Sequence, residues 1–222
     1  MPETSSQNAN SASQKRYRGL SPGERVAERR RRLIEGGIAL YGSAGFRATS
    51  VKTICLSTGL TERYFYESFA NGEELLCATC TAVMHDLRMK ALDAMAGKDD
   101  RPSEKFRAAA QSYFSEIRAN RTAARLTLFE MEGVSAFVDA HYAKELATTT
   151  DLLVDALFFG ITPKGPTKFQ TVVLAQGVVG ALYQIAKEWV RTDFALPTDE
   201  MARHMQAIAI GVVASYSGAI PE

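Results

Sequence analysis

Residues 46–69, FRATSVKTICLSTGLTERYFYESF, gather the side chains of this chain best suited to engage nucleic acid. Thr61, Arg63, Tyr64 and Tyr66 fall within six positions of one another. An arginine at the start of a helix can grip guanine O6 and N7 with both arms of its guanidinium. A threonine can bond a base or touch a thymine methyl, and a tyrosine hydroxyl can reach a phosphate. Such tips must be held on one side of a rigid element. Phe65 and Phe69, four apart, bury the opposite side of a short helix. Upstream, Val51, Ile54, Cys55 and Leu56 have the apolar spacing of another short helix, with Thr49 or Ser50 as its cap. Gly59 breaks that helix, Leu60 anchors the turn, and Thr61 can cap the second helix. Two helices joined by a tight glycine-containing turn form a helix-turn-helix unit, whose second helix lies in the major groove. Glu62 and Glu67 lie on that second helix and repel phosphates, so they either point away or accept from a cytosine amine.

The ordered set Gly45-Phe46, Thr49-Ser50-Val51, Ile54, Thr58-Gly59-Leu60-Thr61, Phe65-Tyr66 and Phe69, followed by Asn71 and Glu74, resembles the N-terminal domain of the TetR family of transcriptional regulators over roughly residues 22–80. The resemblance implies an all-α protein, with an N-terminal three-helix helix-turn-helix DNA-binding domain and a larger C-terminal helical domain for ligand binding and dimerisation. It also implies repression relieved by a small molecule. Thr49, Thr61 and Tyr66 match positions that in the family touch backbone or bases. Two departures stand out. Gly72 occupies the place of the family's usual lysine, which leaves the backbone N–H groups of that helix end to meet a phosphate, and Cys55 replaces an alanine.

With 222 residues, 46% of them hydrophobic, the chain can bury a substantial core. Its net charge is only +1, but residues 1–75 carry eleven Lys and Arg against eight Asp and Glu, so the basic excess sits in the N-terminal third. Lys15, Arg16 and Arg18, then Arg25 and Arg29 to Arg32, form its densest part. A charge run is most often a solvated face. Here residues 1–14 are rich in Ser, Asn and Gln, so residues 1–20 also read as a disordered basic arm that can lie along phosphates through Lys15, Arg16 and Arg18.

Helix signals divide the chain into that arm, a helix-turn-helix head over 21–70 and a helical domain over 71–222. Ser21-Pro22-Gly23-Glu24 combines a capping serine, a first-turn proline and a capping-box glutamate for a helix running to about Ala44. Asn71-Gly72-Glu73-Glu74 starts another that reaches about Met95 and connects the two domains. Further helices are expected near 103–119, 121–132 and 136–159, and, beyond the Gly160–Pro166 loop, over 167–191 and 199–217. The last two carry Ala175, Gly177, Gly180, Ala181, Ala207, Ala209, Gly211 and Ala214 among Val, Ile and Leu, which suits a two-fold four-helix interface. A homodimer in turn suits double-stranded DNA with a palindromic operator. The uncharged stretch 169–186 is too polar for lipid because of three glutamines, so no membrane association is expected. The first 20 residues lack the apolar run of a secretory signal, and three cysteines fit a reducing compartment, so a cytoplasmic protein is expected.

Other chemistry finds little support. Cys77-Ala78-Thr79-Cys80 has a C-x-x-C spacing but no second pair, so no metal site is expected and the thiols read as buried helix residues. His85, His141 and His204 are scattered, and phosphate-binding glycine motifs are missing, so no catalytic residues, no cofactor and no enzyme activity are expected. A bundle interior can hold a small, largely apolar effector, and Tyr113, Ile117, Phe129, His141 and Tyr183 are the first candidates to line its pocket. The rival reading is a helical dimer that carries ligands or binds proteins and has lost DNA binding. Gly72 and the two glutamates of the second short helix favour it.

Overall fold

The computed structural model describes residues 21–96, 101–158 and 168–217. The basic arm with Lys15, Arg16 and Arg18, and the Gly160–Pro166 loop, lie outside the described residues. Every element among those described is a helix: α1 (Pro22–Ala44), α2 (Val51–Thr58), α3 (Glu62–Tyr66), α4 (Gly72–Met95), α5 (Pro102–Ala119), α6 (Arg121–Phe129), α7 (Ala136–Phe158), α8 (Lys168–Arg191) and α9 (Thr198–Ser217).

Local chemistry sets the ends of the head helices. At α1, Ser21 Oγ accepts from the Glu24 amide at 3.3 Å while the Ser21 amide donates to the Glu24 carboxylate at 2.7 Å, which completes the capping box. Gly45, with φ of 90°, ends the helix in a conformation that a side chain would resist. Asn71 caps α4 by accepting from the Glu74 amide at 2.9 Å. Asn120 serves α5 and α6 together, closing the first and accepting from the Ala123 amide at the start of the second.

Two apolar clusters hold the molecule. One joins α5, α6, α8 and α9 through Phe114, Ile117, Leu128, Trp189, Phe194 and Met205. The other begins in the head with Leu33, Ile54, Phe65 and Phe69 and continues without a break through Leu75, Leu76 and Cys80 of α4 to Leu126, Met131, Val138 and Tyr142. The head is thus seated on the helical body by shared core residues. Its seam is tight. Gly42 of α1 lies so close to Thr122 of α6 that a Cβ there would meet the Thr122 carbonyl oxygen at 2.0 Å. Arg125 Nε donates to the Gly42 carbonyl at 3.1 Å, and the Phe46 amide donates to the Glu130 carboxylate at 2.9 Å.

Leu56 departs from the expected apolar stripe of α2. It is 74% exposed, because Ile54 and Cys55 face inward and a residue two positions after Ile54 points to the opposite side of the helix. On α8 and α9, Ala175 and Ala209 are buried within the chain. Val173, Gly177, Gly180, Ala207, Ile210 and Gly211 are exposed, and nothing lies within 4 Å of where a side chain on Gly177, Gly180 or Gly211 would begin. No helix among the described residues is long and apolar enough to cross a membrane.

Candidate nucleic-acid interface and effector chamber

The surface of the head is built by the turn between α2 and α3. Ser50 caps α2 by accepting from the Thr53 amide at 3.1 Å. Gly59 adopts the left-handed conformation, φ 63° and ψ 32°, and the Leu60 amide returns to the Cys55 carbonyl at 3.0 Å. Thr61 takes the cap position of α3, but its hydroxyl makes no cap hydrogen bond. The first turn is tightened so that the Tyr64 amide already donates to the Thr61 carbonyl at 3.0 Å, which leaves the hydroxyl for a partner outside the chain. Phe65 and Phe69 are buried beneath.

The candidate side chains are placed unequally. Thr61 is exposed, Arg63 has 85% of its side chain exposed, and Tyr66 is 57% exposed with its ring edge-on to Phe65. Thr49 is half-buried and donates its hydroxyl to the Gly45 carbonyl at 2.8 Å. Tyr64 is also half-buried, because the Arg29 guanidinium lies 4.3 Å over its ring. Glu67 contacts Arg29 at 3.3 Å and Arg63 at 3.4 Å, so its charge is offset on the spot.

The arginine run of α1 is largely occupied in bracing this head. Arg30 donates to the Ser68 carbonyl at 2.7 Å and stacks on Phe69, Arg31 pairs with Glu28 and Glu35, and Arg32 donates to the Thr58 carbonyl at the end of α2. Consecutive arginines project at 100° intervals around a helix, so they reach different neighbours. At position 72 an added Cβ would lie 3.6 Å from Phe46 and 3.7 Å from the Tyr41 hydroxyl, both ordinary contacts.

In the body, a cavity of about 90 Å³ lies between α4, α5, α7 and α8. Its walls are mainly apolar, with Met84, Leu87, Phe106, Leu153, Val178 and Leu182 among them. Of the expected pocket residues, Tyr113 and Tyr183 line it. Ile117 is buried near Ile38 and Val83 at the junction of α1, α4 and α5, Phe129 packs under Arg191 at 5.3 Å, and His141 sits 2.8 Å from the Thr81 hydroxyl. Arg88 is a wall residue that sequence patterning did not single out, although Met84, Leu87, Arg88, Ala91 and Met95 recur at helical spacing along α4. Its guanidinium holds the Glu145 carboxylate at 2.8 Å. Burial pushes the Glu145 carboxyl up, but hydrogen bonds from Thr81 and Arg88 and the charge of Arg88 outweigh burial and hold it below its ordinary value.

Tyr183 also borders a second, more polar recess of about 370 Å³ with Gln176, Gln184 and Lys187. Its ring meets Tyr142 edge-on at 6.3 Å, and the Tyr142 hydroxyl donates to the Thr127 carbonyl of α6 at 2.8 Å. Through α6 this line of contacts reaches Gly42 at the head. Cys77 and Cys80 are free and buried, and burial pushes their thiols up to about 11 and about 12, which suppresses thiolate reactivity.

No family model and no curated protein matches the sequence. Among solved structures, the chain is similar to the fatty acid degradation regulator FadR from Bacillus halodurans, with 17% identity, TM-score 0.72, and coverage of 86% of this chain and 96% of that one. It is similar to FadR from Bacillus subtilis in complex with stearoyl-CoA, with 16% identity, TM-score 0.71, and coverage of 86% and 98%. It also resembles a TetR-like transcriptional regulator from Rhodococcus, with 17% identity, TM-score 0.63, and coverage of 84% and 96%. The chain has the all-helical fold of these regulators.

Proposed function

We propose that the chain is a ligand-responsive, sequence-specific DNA-binding transcriptional regulator of the TetR family, a cytoplasmic repressor released from its operator by a small, largely apolar effector. The observation that carries this reading is the exposed row of Thr61, Arg63 and Tyr66 on a braced α3, immediately after a left-handed glycine turn. That is the placement a helix needs to present donors to base edges. Thr49 and Tyr64 stand beside it, and Lys15, Arg16 and Arg18 of the arm add contacts to phosphates. The solved relatives bring the precedent of a regulator, and one of them the precedent of an acyl-chain ligand.

The protein acts as a homodimer through α8 and α9, whose exposed small and aliphatic residues would meet their symmetry mates across a two-fold axis. Two heads then address a palindromic operator. An effector in the chamber presses on Met84, Leu87 and Met95 of α4, the helix whose Leu75 and Leu76 share the core of the head, and on Tyr183, which leads through Tyr142 to α6. If it binds better when the heads are spread, it shifts the population and lowers operator affinity.

Binding titrations across salt, on DNA from immediately upstream of the coding region and on single-base variants of the site found there, test the reading. Arg63→Ala is expected to lose about 1–3 kcal/mol and to relax preference at one base pair, whereas Lys15→Ala or Arg16→Ala should weaken all sequences alike and lower the salt slope. Binding that ignores sequence, or no binding, overturns it.

A further inference from the structure

A residue on the wall of the chamber carries a buried polar atom that the protein leaves without a partner. Tyr113 stands on its wall, is 8% exposed, and its hydroxyl is the one buried side-chain polar atom among the described residues with no hydrogen-bond partner. Native interiors satisfy nearly all such groups, so an orphan beside a cavity is a place for a ligand atom. Burial pushes the phenol above its ordinary value, so the oxygen keeps its proton and has one to donate.

The rest of the wall says what else the ligand carries. Apart from Tyr113, the described wall residues whose side chains carry nitrogen or oxygen are Arg88, Thr149 and Tyr183. Arg88 is committed to the Glu145 carboxylate at 2.8 Å and to the Glu145 carbonyl and Thr149 hydroxyl at 3.4 and 3.5 Å. Thr149 donates to the Glu145 carbonyl at 3.2 Å, and the Tyr183 hydroxyl lies 3.7 Å from Met84 Sδ. An anion entering here would find Arg88, the one cation among the described wall residues, already neutralised, and burying a charge without a partner is costly. A water molecule needs two to four polar partners and would find few.

We propose that the chamber selects an uncharged, mostly apolar molecule bearing one hydrogen-bond-accepting oxygen, a carbonyl or ether, which takes the Tyr113 hydroxyl proton. The inference rests on reading this cavity as the effector site. A volume of about 90 Å³ is somewhat below the roughly 150 Å³ cavity that takes benzene, and Met84 and Met95 are unbranched walls that can yield. With those walls drawn back, the upper size class is a single ring with a short substituent.

Three near-isosteric probes separate the possibilities: acetophenone, with a carbonyl oxygen; α-methylstyrene, with a methylene in its place; and benzoate, with a charge. Each is titrated into the full-length protein without DNA, with binding followed by ligand-observed NMR. Acetophenone is expected to bind about tenfold more tightly than α-methylstyrene, and benzoate to show no saturable binding. Tyr113→Phe, which keeps the ring and removes the orphan atom, should bring acetophenone to parity with α-methylstyrene and leave the latter unchanged. The ranking in the unaltered protein stands as a test even if the variant fails to fold. Tighter binding of benzoate, a ketone preference that survives in Tyr113→Phe, or no binding of acetophenone overturns the proposal. Because the readout needs no operator, a protein that passes here but never binds DNA would refute the regulatory reading alone.

Discussion

Replacing Gly42 with alanine is the sharpest probe of how the head is seated. The new Cβ would fall 2.0 Å from the Thr122 carbonyl oxygen, 2.6 Å from its methyl and 2.7 Å from its carbonyl carbon. Ordinary contact begins near 3.4 Å, so α1 and α6 must part by about 1.4 Å at this point, and two of the opposing atoms, the nearest included, are helix backbone that no rotamer change can move aside. Overpacking of this kind costs about 1–3 kcal/mol. Against it stands the helix propensity of alanine over glycine, worth about 1 kcal/mol. The net is a loss of about 0–2 kcal/mol, or a melting temperature lower by up to roughly 8 °C for a chain of this size. Separation also strains the Arg125 bond to the Gly42 carbonyl, so the head should tilt on the body. Operator affinity should fall within roughly 5- to 150-fold, the span of a coupling free energy of about 1–3 kcal/mol, although Gly42 lies outside the proposed DNA face. Gly23→Ala, on the same helix with nothing within 4 Å of its new Cβ, is the control and should leave both quantities unchanged or slightly raise stability. Differential scanning calorimetry and a fluorescence-anisotropy titration read the pair. Gly42→Ala with the wild-type melting temperature and wild-type affinity would refute a backbone-tight seam.

Under the proposed function Gly72→Lys should add a phosphate contact, since position 72 accepts a Cβ at ordinary distances; the expected signature is a salt slope steeper by about 0.9, which a titration over a fourfold salt range reads as an extra factor of about 3.5, and an unchanged slope would show that this helix end does not meet the backbone. Glu145→Gln should destabilise the protein by about 3 kcal/mol at neutral pH by leaving Arg88 without its counter-charge. Because the Glu145 carboxyl is held below its ordinary 4.5 in the folded state, its stabilisation is present above that pH and is lost as the pH falls through the depressed value, so urea-unfolding curves of variant and wild type should converge in acid; parallel curves would count against the ion pair.

Much of this molecule is written in short-range chemistry. Ser21 with Glu24, Asn71 with Glu74, and Gly59 each act on atoms within a few residues, so a reader of the sequence can fix the starts of α1 and α4 and the turn before α3. Phe65 and Phe69 are legible for the same reason. What depends on distant packing is not. Arg29, Arg30 and Arg32 read as free basic charge, yet their partners Glu67, Tyr64, Ser68 and Thr58 lie 26 to 38 residues away across the head. On α5, α6 and α7 apolar residues occur on several faces, and only the assembled body decides that Tyr113 borders the chamber while Ile117, one helical turn later, turns toward α1. Gly42 carries no local signal at all.

Because one apolar cluster runs from Leu33 to Tyr142, and Glu130 holds the amide of Phe46, the head lacks a surface of its own at which it could be cut away cleanly. A chimera that grafts a foreign reading head onto this body would therefore have to import its own matching α6, or accept a loose joint. For the same reason, single changes along α3 leave this joint intact, whereas exchange of the whole head does not.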